Sequence, residues 1–325
     1  MGDIRVGTSG WHYPTGKGTW DGVFYPPKRG RRKTFDELAY YAEHFNTVEI
    51  NATFYGQPRA EVSRAWVERT PAGFEFSVKL YQKFTHPRMF EGRLRKSIPA
   101  EEDAIAELAR PNAADLDEFR RGIDPLASSG KLGAILAQFP PSFKNGEAEQ
   151  AYLVGLLESL RGYRVAVELR HRSWSDRFGQ TIALLNEHDA AFVHIDEPKF
   201  RTSIRQNQLP NITTFYYLRA HGRNAKKWWH HEHKDERYDY LYSAAEMAEF
   251  SETLKAVRQI VPKTYAYMNN HADAKSVANA VELKHFLDEP IEGTYPDEFI
   301  ARYPDVKAIV SAAAAKDAQV PVRKG

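Results

Sequence analysis

The sequence contains no cysteine among its 325 residues. This absence excludes disulfide bonds, zinc–thiolate sites, iron–sulfur clusters and a cysteine nucleophile. The formal net charge of +2 is too small to draw the whole chain onto nucleic acid, so such a partner would need a local basic patch. No apolar run approaches the roughly 18 residues that a membrane-spanning helix needs. We therefore expect a reduced, cytoplasmic setting and no membrane partner.

Eight short runs are predicted to be β-strands because of their apolar alternation or their β-branched and aromatic content. They are residues 4–8, 47–51, 74–79, 132–138, 164–169, 191–196, 215–220 and 264–269. Amphipathic helices are predicted at residues 34–45, 59–69, 98–129, 147–161, 177–187, 243–260 and 271–287. Thr34 and Glu37 form a capping-box pattern at the first of them, and Pro111 and Gly122 interrupt the third. Residues 197–213 are polar and irregular, which predicts a loop in place of one helix.

The alternation of strands and helices predicts the fold class. Eight strand–helix repeats in a chain of this length indicate an α/β protein with a single (β/α)8 TIM-like barrel of parallel strands over residues 1–311. Residues 312–325 are expected to be a flexible C-terminal tail. An open doubly wound sheet is the alternative, although the turn after the first strand lacks the GxGxxG spacing of a dinucleotide site.

Polar side chains lie at the C-terminal ends of seven of the eight strands, which is the end where barrel enzymes place their active sites. Strand alternation places them on the barrel axis: Glu49, Asn51, Lys79, Gln138, Glu168, Arg170, His194, Asp196, Arg219, His221 and Asn269. Their acidic and basic members can instead form a structural ion-pair network, since a buried charge needs a partner. Stability alone is a poor explanation for so dense a cluster, because buried ion pairs often gain nothing over apolar packing.

Six motifs, in order along the chain, resemble the YecE-like family, a bacterial and archaeal family of unknown function with a TIM-like barrel. They are VGTSGW (6–11), FNTVEINATFY (45–55), QFPPSF (138–143), VELRHRSW (167–174), YLRAHGR (217–223) and YMNNHAD (267–273). The resemblance implies a fold but no established reaction. It also implies that these residues belong to the family's motif set: Trp11, Glu49, Asn51, Gln138, Glu168, Arg170, His171, Trp174, Arg219, His221, Asn269 and Asn270.

The favoured hypothesis is an enzyme or ligand-binding protein with an anion site at the C-terminal mouth of the barrel. Acid–base chemistry on a small phosphorylated or sugar-like compound is assigned to Glu49, Glu168 and His221, as in a hydrolase, lyase or isomerase. Substrate binding is assigned to Trp11, Asn51, Lys79, Gln138, Arg170, His171, Asp196, Arg219, Asn269 and Asn270. A non-catalytic metabolite sensor that binds the same ligand is an alternative.

A metal site is an alternative that the nearby cations disfavour. Lys79, Arg170 and Arg219 share the mouth with the carboxylates and would repel a divalent ion, so no metal and no cofactor are assigned. The run WWHHEH (228–233) lacks the HExxH spacing and predicts a surface loop, with Trp228 or Trp229 as a lid over the mouth.

Nucleic acid is the remaining alternative. The run KRGRRK offers Lys28, Arg29, Arg31, Arg32 and Lys33 beside first-loop aromatic residues, a combination that can hold phosphates and stack bases. A nucleic-acid binder, or a metal-dependent phosphodiester hydrolase resembling the apurinic-site endonuclease barrels, would use this loop. The competing interpretation is a solvated loop whose aromatic residues pack on the barrel.

Overall fold

The computed structural model describes residues 2–16, 18–29, 34–99, 101–206, 213–229 and 234–310. Within these ranges the strands are β1 (Asp3–Ser9), β2 (Thr47–Ile50), β3 (Glu75–Lys79), β4 (Leu132–Gln138), β5 (Val165–Glu168), β6 (Ala191–Phe192), β7 (His194–Asp196), β8 (Tyr216–Ala220) and β9 (Lys263–Met268). Seven of the eight predicted strands are present with ends within one residue of the prediction. The eighth, residues 191–196, is two short strands separated by Val193.

The helices over the same described ranges begin with α1 (Glu37–Ala42), α2 (Ala52–Tyr55), α3 (Ala60–Glu68), α4 (Gln82–Thr85), α5 (Pro87–Ser97), α6 (Glu102–Ala109) and α7 (Ala113–Ser128). They continue with α8 (Glu147–Ser159), α9 (Arg172–Ser175), α10 (Phe178–Glu187), α11 (Ala225–Trp229), α12 (Ala244–Val257), α13 (Lys275–Phe286) and α14 (Asp297–Arg302). Two 3-10 helices cover Lys234–Tyr238 and Ala272–Ala274. No helix among the described residues has the length and apolar character needed to cross a membrane.

The strands follow the order β6-β5-β4-β3-β2-β1-β9-β8-β7 in one sheet. The registers are parallel, with Asp3 beside Lys263 in β1 and β9 and Gln138 beside Glu168 in β4 and β5. This is the strand order of an α/β TIM-like fold, so the predicted fold class is confirmed.

The faces assigned to the sixth predicted strand are wrong. His194 was expected to face the barrel axis, but its Nδ1 contacts the hydroxyl of Tyr216, which alternation places on the helix side. Phe192, two residues earlier, contacts Phe178 of helix α10 and is the register partner of Val167, which alternation also places on the helix side. The period of two therefore runs through Val193, with the opposite phase to the prediction.

The chain forms two compact units. Unit 1 comprises residues 1–48, 196–198 and 218–325, and unit 2 comprises residues 49–195 and 199–217. The prediction of a single domain over residues 1–311 stays a prediction, and the predicted tail, residues 312–325, lies outside the described residues. In unit 1, helix α13 packs along β1 and β9 and buries Val277, Val281 and Leu283.

Unit 2 corrects one predicted helix break. Gly122 lies inside helix α7, where a β-carbon would come within 2.1 Å of the carbonyl oxygen of Pro58. Ser63 of helix α3 donates a hydrogen bond of 2.6 Å to the Gly122 carbonyl. The glycine therefore allows close helix packing, a use of glycine that a sequence pattern does not separate from a break.

A second correction concerns the start of the first helix. The predicted cap at Thr34 is wrong, because Asp36 caps α1 by accepting hydrogen bonds from the backbone amides of Leu38 and Ala39. Aspartate is as good an N-cap as threonine, and the sequence presents both within three residues.

Candidate functional site

A buried ion pair lies at the C-terminal end of β5 in unit 2. Glu168 is the last residue of the strand and is fully buried, and the Arg170 side chain is 13% exposed. Arg170 Nε and Nη2 both donate to Glu168 Oε1, at 2.7 and 2.6 Å. Gln138, at the end of β4, is the register partner of Glu168. The charge of Glu168 is thereby held at a fixed place by a planar guanidinium.

Lys79 brings a second cation to the same unit, at the end of β3. Its Nζ lies 4.2 Å from the centroid of the Phe54 ring, a cation–π distance. The Thr53 hydroxyl donates a hydrogen bond of 2.6 Å to the Lys79 carbonyl and holds the strand end against helix α2. We call Lys79, His86, Glu168 and Arg170 the strand-end cluster.

His86 completes the strand-end cluster and is the residue that the sequence analysis missed. Its ring packs edge-on against Phe54, with centroids 4.9 Å apart, and its Nδ1 lies 2.9 Å from the Thr85 hydroxyl. Burial and then the charges of Lys79 and Arg170 together lower the pKa of His86 to about 3, against a smaller opposite effect of Glu168. The imidazole is therefore neutral near neutral pH. A histidine before a proline is a weak signal in a sequence, and only the fold shows its neighbours.

A groove of about 470 Å³ borders the strand-end cluster in unit 2. Its walls come from helices α4 and α5, from the segment 139–143 and from the first turns of helix α8. Five of the thirteen lining residues are aromatic: Phe84, His86, Phe139, Phe143 and Tyr152. The volume lies within the range of about 300–1,000 Å³ that is typical of small-molecule sites.

The other predicted residues of unit 2 are dispersed over several contacts. Glu49 is fully buried and accepts a hydrogen bond of 2.7 Å from the Tyr217 hydroxyl. Asn51 occupies the N-cap position of α2 without a side-chain cap bond. His171 is the N-cap of α9, where its side chain accepts from the Ser173 amide. Burial and nearby Lys144 lower the pKa of His171.

Unit 1 holds a separate polar group at the ends of β8 and β9. Arg219, His221 and Asn269 are buried there. The Asn269 amide nitrogen lies 2.7 Å from His221 Nδ1, and Arg219 Nη1 lies 3.5 Å from His221 Nε2. The two neighbours fix the orientation of the imidazole ring, and the predicted acid–base role of His221 stays a prediction.

Asp196 belongs to a salt-bridge network in unit 1. Arg223 donates to it from Nε at 3.0 Å and from Nη2 at 2.9 Å, and the Tyr242 hydroxyl donates at 2.7 Å. Arg223 also donates to Glu246 of helix α12 at 2.8 Å. These contacts raise the pKa of the Arg223 guanidinium, chiefly through the hydrogen bond to Asp196. They resemble the structural pairing that the sequence analysis weighed against a site, with Arg223 as the partner of Asp196.

Asn270 ties the end of β9 to neighbouring segments of unit 1. Its amide nitrogen donates to the Tyr240 carbonyl and to Asn279 Oδ1, both at 2.8 Å. Asn279 in turn donates to Glu282 at 2.7 Å. Burial raises the pKa of Glu282 to about 7.

The first loop of unit 1 keeps most of its aromatic residues inside. Trp20, Phe24 and Tyr25 are buried, and Trp20 Nε1 donates a hydrogen bond of 2.7 Å to the His271 carbonyl. These three rings are therefore packed inside the unit, and a nucleic-acid partner stays a prediction. Trp11 is half-buried, and its carbonyl accepts from the Tyr25 hydroxyl at 2.5 Å.

The predicted basic patch is described only in part. Lys28 Nζ donates to the Pro14 carbonyl at 2.6 Å and Arg29 is exposed, whereas Arg31, Arg32 and Lys33 lie outside the described residues.

The predicted lid is likewise described only in part. Trp228 is buried beside Tyr238, and residues 230–233 lie outside the description, as does the side chain of Trp229. Among the residues that are described, no group of three histidine or acidic side chains is arranged to hold a metal ion.

Comparisons with known proteins identify relatives over most of the chain. The family model described as "Protein of unknown function DUF72" matches residues 5–300. The UPF0759 protein YunF of Bacillus subtilis is 28% identical over 304 residues, which cover 90% of this chain and 98% of that protein. The UPF0759 protein YecE of Escherichia coli is 33% identical over 135 residues, 41% of each chain.

Solved structures of similar proteins also cover most of the chain. A DUF72 family protein from Thermotoga maritima is similar with a TM-score of 0.71 and 33% identity, covering 88% of this chain and 99% of that one. A DUF72 family protein from Enterococcus faecalis has a TM-score of 0.71 and 24% identity, covering 91% of this chain and 100% of that one. The chain therefore belongs to the DUF72 family, and the predicted resemblance to YecE is confirmed.

Proposed function

We propose that the protein is an enzyme that binds a small phosphorylated or sugar-like anion at the strand-end cluster. The observation that carries this proposal is the position of Lys79 and Arg170 at strand ends of one unit, around a fully buried Glu168 and beside a groove lined by His86. Strand ends of this kind carry the active sites of TIM-like enzymes, although the fold by itself does not define a reaction.

The two cations supply the attraction for an anion. An arginine matches the planar oxygen pairs of phosphates and carboxylates, and a lysine acts as a point charge. The pKa of His86 records the same potential, because Lys79 and Arg170 lower it more than Glu168 raises it. A neutral imidazole offers the anion one N–H donor without a competing proton equilibrium near neutral pH.

Glu168 is the acid–base group of the proposed reaction. Arg170 holds its carboxylate, and a carboxylate at a fixed position can accept a proton from a bound hydroxyl or carbon acid and return it. This role fits an isomerase, a lyase or a hydrolase, and Glu49 is a second buried carboxylate in the same unit. We also propose that the polar group of unit 1 takes part in ligand binding. Its members are Arg219, His221 and Asn269, and variants of these residues would test this role separately.

Calorimetric titration of inorganic phosphate tests the anion site. We expect Lys79→Met to weaken phosphate binding by about tenfold or more, since a charged contact contributes about 1.5–3 kcal/mol. Arg164→Ala is the matched control, because Arg164 is exposed and precedes the same strand, β5, that ends at Glu168. Absent binding, or an equal loss in both variants, would contradict the proposal.

The catalytic part of the proposal needs a second measurement. Glu168→Gln should retain phosphate binding and lose turnover on a panel of sugar phosphates. If the wild-type protein binds members of the panel but turns none over, the metabolite sensor replaces the enzyme.

A further inference from the structure

We propose that the ligand carries an aromatic group next to its anionic group, and that this aromatic group occupies the groove beside the strand-end cluster. The inference rests on the proposed function, because it assigns the anionic end to Lys79 and Arg170. It narrows the substrate class to aryl-substituted anions, such as aryl phosphates.

The groove has a wall of stacked rings. Phe143 stacks on Phe139 with centroids 4.1 Å apart and an angle of 19°, and on Trp174 with centroids 5.6 Å apart and an angle of 14°. Trp174 is anchored in turn, because its Nε1 donates a hydrogen bond of 3.0 Å to the Phe143 carbonyl. A rigid aromatic wall favours a flat ring over a flexible chain, since ring pairs gain energy in stacked or edge-on geometry.

Tyr152 adjoins this wall, with its ring edge-on to Phe143 at 6.5 Å between centroids. Its hydroxyl donates a hydrogen bond of 2.5 Å to the Phe84 carbonyl, which holds it in place. Met89 and Tyr152 are 48% and 38% exposed, which is high for large apolar side chains in a folded domain. Both line the groove, so apolar surface is left for a ligand to cover.

His86 links the groove to the charged end of the site. It lines the groove, and its ring contacts Phe54, whose face carries the Lys79 ammonium at 4.2 Å. The link continues along β4, where Gln138 is the register partner of Glu168 and the next residue, Phe139, lines the groove. A ligand that spans His86 would therefore place its two ends in environments of opposite polarity.

The dimensions suit an aromatic group of one or two rings. The groove of about 470 Å³ is roughly three times the ~150 Å³ cavity that holds one benzene. Arg88 and Glu149 also line the groove, so its own lining carries one charge of each sign, and the attraction for the anionic end comes from Lys79 and Arg170.

Titration of 1-naphthyl phosphate against inorganic phosphate tests the inference. We expect the wild-type protein to bind 1-naphthyl phosphate at least about tenfold more tightly than inorganic phosphate, because the ring leaves water on binding. Ala148→Phe fills the groove from its exposed rim and should reduce the affinity for 1-naphthyl phosphate to that for inorganic phosphate, which should be unchanged. Ala151→Phe is the matched control on the same helix, at an exposed position outside the groove, and should change neither affinity.

The outcomes separate this inference from the proposed function. Equal affinities for the two compounds, or equal behaviour of the two alanine variants, would overturn the aromatic subsite and leave the anion site standing. Binding of 1-naphthyl phosphate that resists Lys79→Met would overturn the link between groove and anion site. If Ala148→Phe instead shifts a monomer–dimer equilibrium in sedimentation, the groove is an interface between copies and the inference is wrong. If the wild-type protein does not bind inorganic phosphate, the proposed function itself is wrong.

Discussion

Each unit contains a carboxylate paired with an arginine at or just after a strand end, and the two pairs have different surroundings. In unit 1, Asp196 binds Arg223, and Tyr242 and Glu246 complete a network that reaches helix α12. In unit 2, Glu168 binds Arg170 beside Lys79 and His86, and a groove of about 470 Å³ borders that cluster. The pair in unit 1 thus connects several secondary-structure elements, whereas the pair in unit 2 belongs to a cluster in which His86 lines a groove.

The number of partners distinguishes a structural charge at a strand end from one that can serve a ligand. A charge whose hydrogen bonds run to several elements contributes to stability, because removing it leaves partners unpaired. A charge that borders a cavity can change without a comparable loss of packing. The contrast predicts three changes in the free energy of unfolding, which decrease in size from Asp196 to Glu282 to His86.

The largest effect is expected for Asp196→Ala in the unit 1 network. Arg223 and the Tyr242 hydroxyl would both lose their acceptor, which we expect to lower the free energy of unfolding by about 3 kcal/mol. Urea denaturation of the variant and of the exposed control Asp117→Ala measures the difference. A loss below about 1 kcal/mol would show that the network is not structural and would return Asp196 to the ligand site.

The second effect concerns Glu282, also in unit 1, and depends on pH. Its pKa of about 7 in the folded protein lies above the ordinary value of 4.5, so burial of the charged form costs stability increasingly as the pH rises from 4.5 to 7 and fully above it. Glu282→Gln should therefore raise the free energy of unfolding by about 2–3 kcal/mol near pH 8 and by little near pH 4. Urea denaturation at both pH values provides the check, and an equal effect at the two would contradict the assignment.

The third effect concerns His86 in unit 2, and its dependence on pH has the opposite sign to that of Glu282. The pKa of His86 is about 3 in the folded protein against an ordinary value of 6.5, so stability is lost as the pH falls below 6.5 and the unfolded chain takes up the proton. His86→Gln should remove this loss and gain about 2 kcal/mol relative to wild type near pH 5. Urea denaturation between pH 4 and 8 measures this difference. If the free energy of unfolding depends on pH equally in the wild type and the variant, His86 is solvated and not buried beside Lys79.

The sequence predicts the framework well because the strands depend on local alternation. The end positions of β4 and β8 are predicted to within one residue. The residues that alternation assigns to the axis include Glu49, Glu168 and Arg219, which are all buried. Helix starts are less certain, since Thr34 and Asp36 are both good caps and only packing selects Asp36. The phase of residues 191–196 is wrong, because polar His194 was taken to mark the axis face, whereas Phe192 and His194 both contact residues of the helix side.

The partners of each charge are the part that the sequence does not contain. Asp196 was assigned to the ligand site, but its bond to Arg223 depends on where the loop after β8 folds. His86 and the groove were missed for the same reason, because they are assembled from segments at residues 84–89 and 139–152 that are distant along the chain. Sequence motifs identify which residues carry charge, and the fold decides whether each charge meets another side chain or a cavity.

The most direct test of the central claim is an X-ray structure of the wild-type protein in complex with 1-naphthyl phosphate. We expect the phosphate oxygens within hydrogen-bond distance of Lys79 or Arg170 and the naphthyl ring inside the groove, in contact with Phe143 or Tyr152. Clear density for the compound only beside Arg219, or only on the outer surface of the protein, would contradict the account.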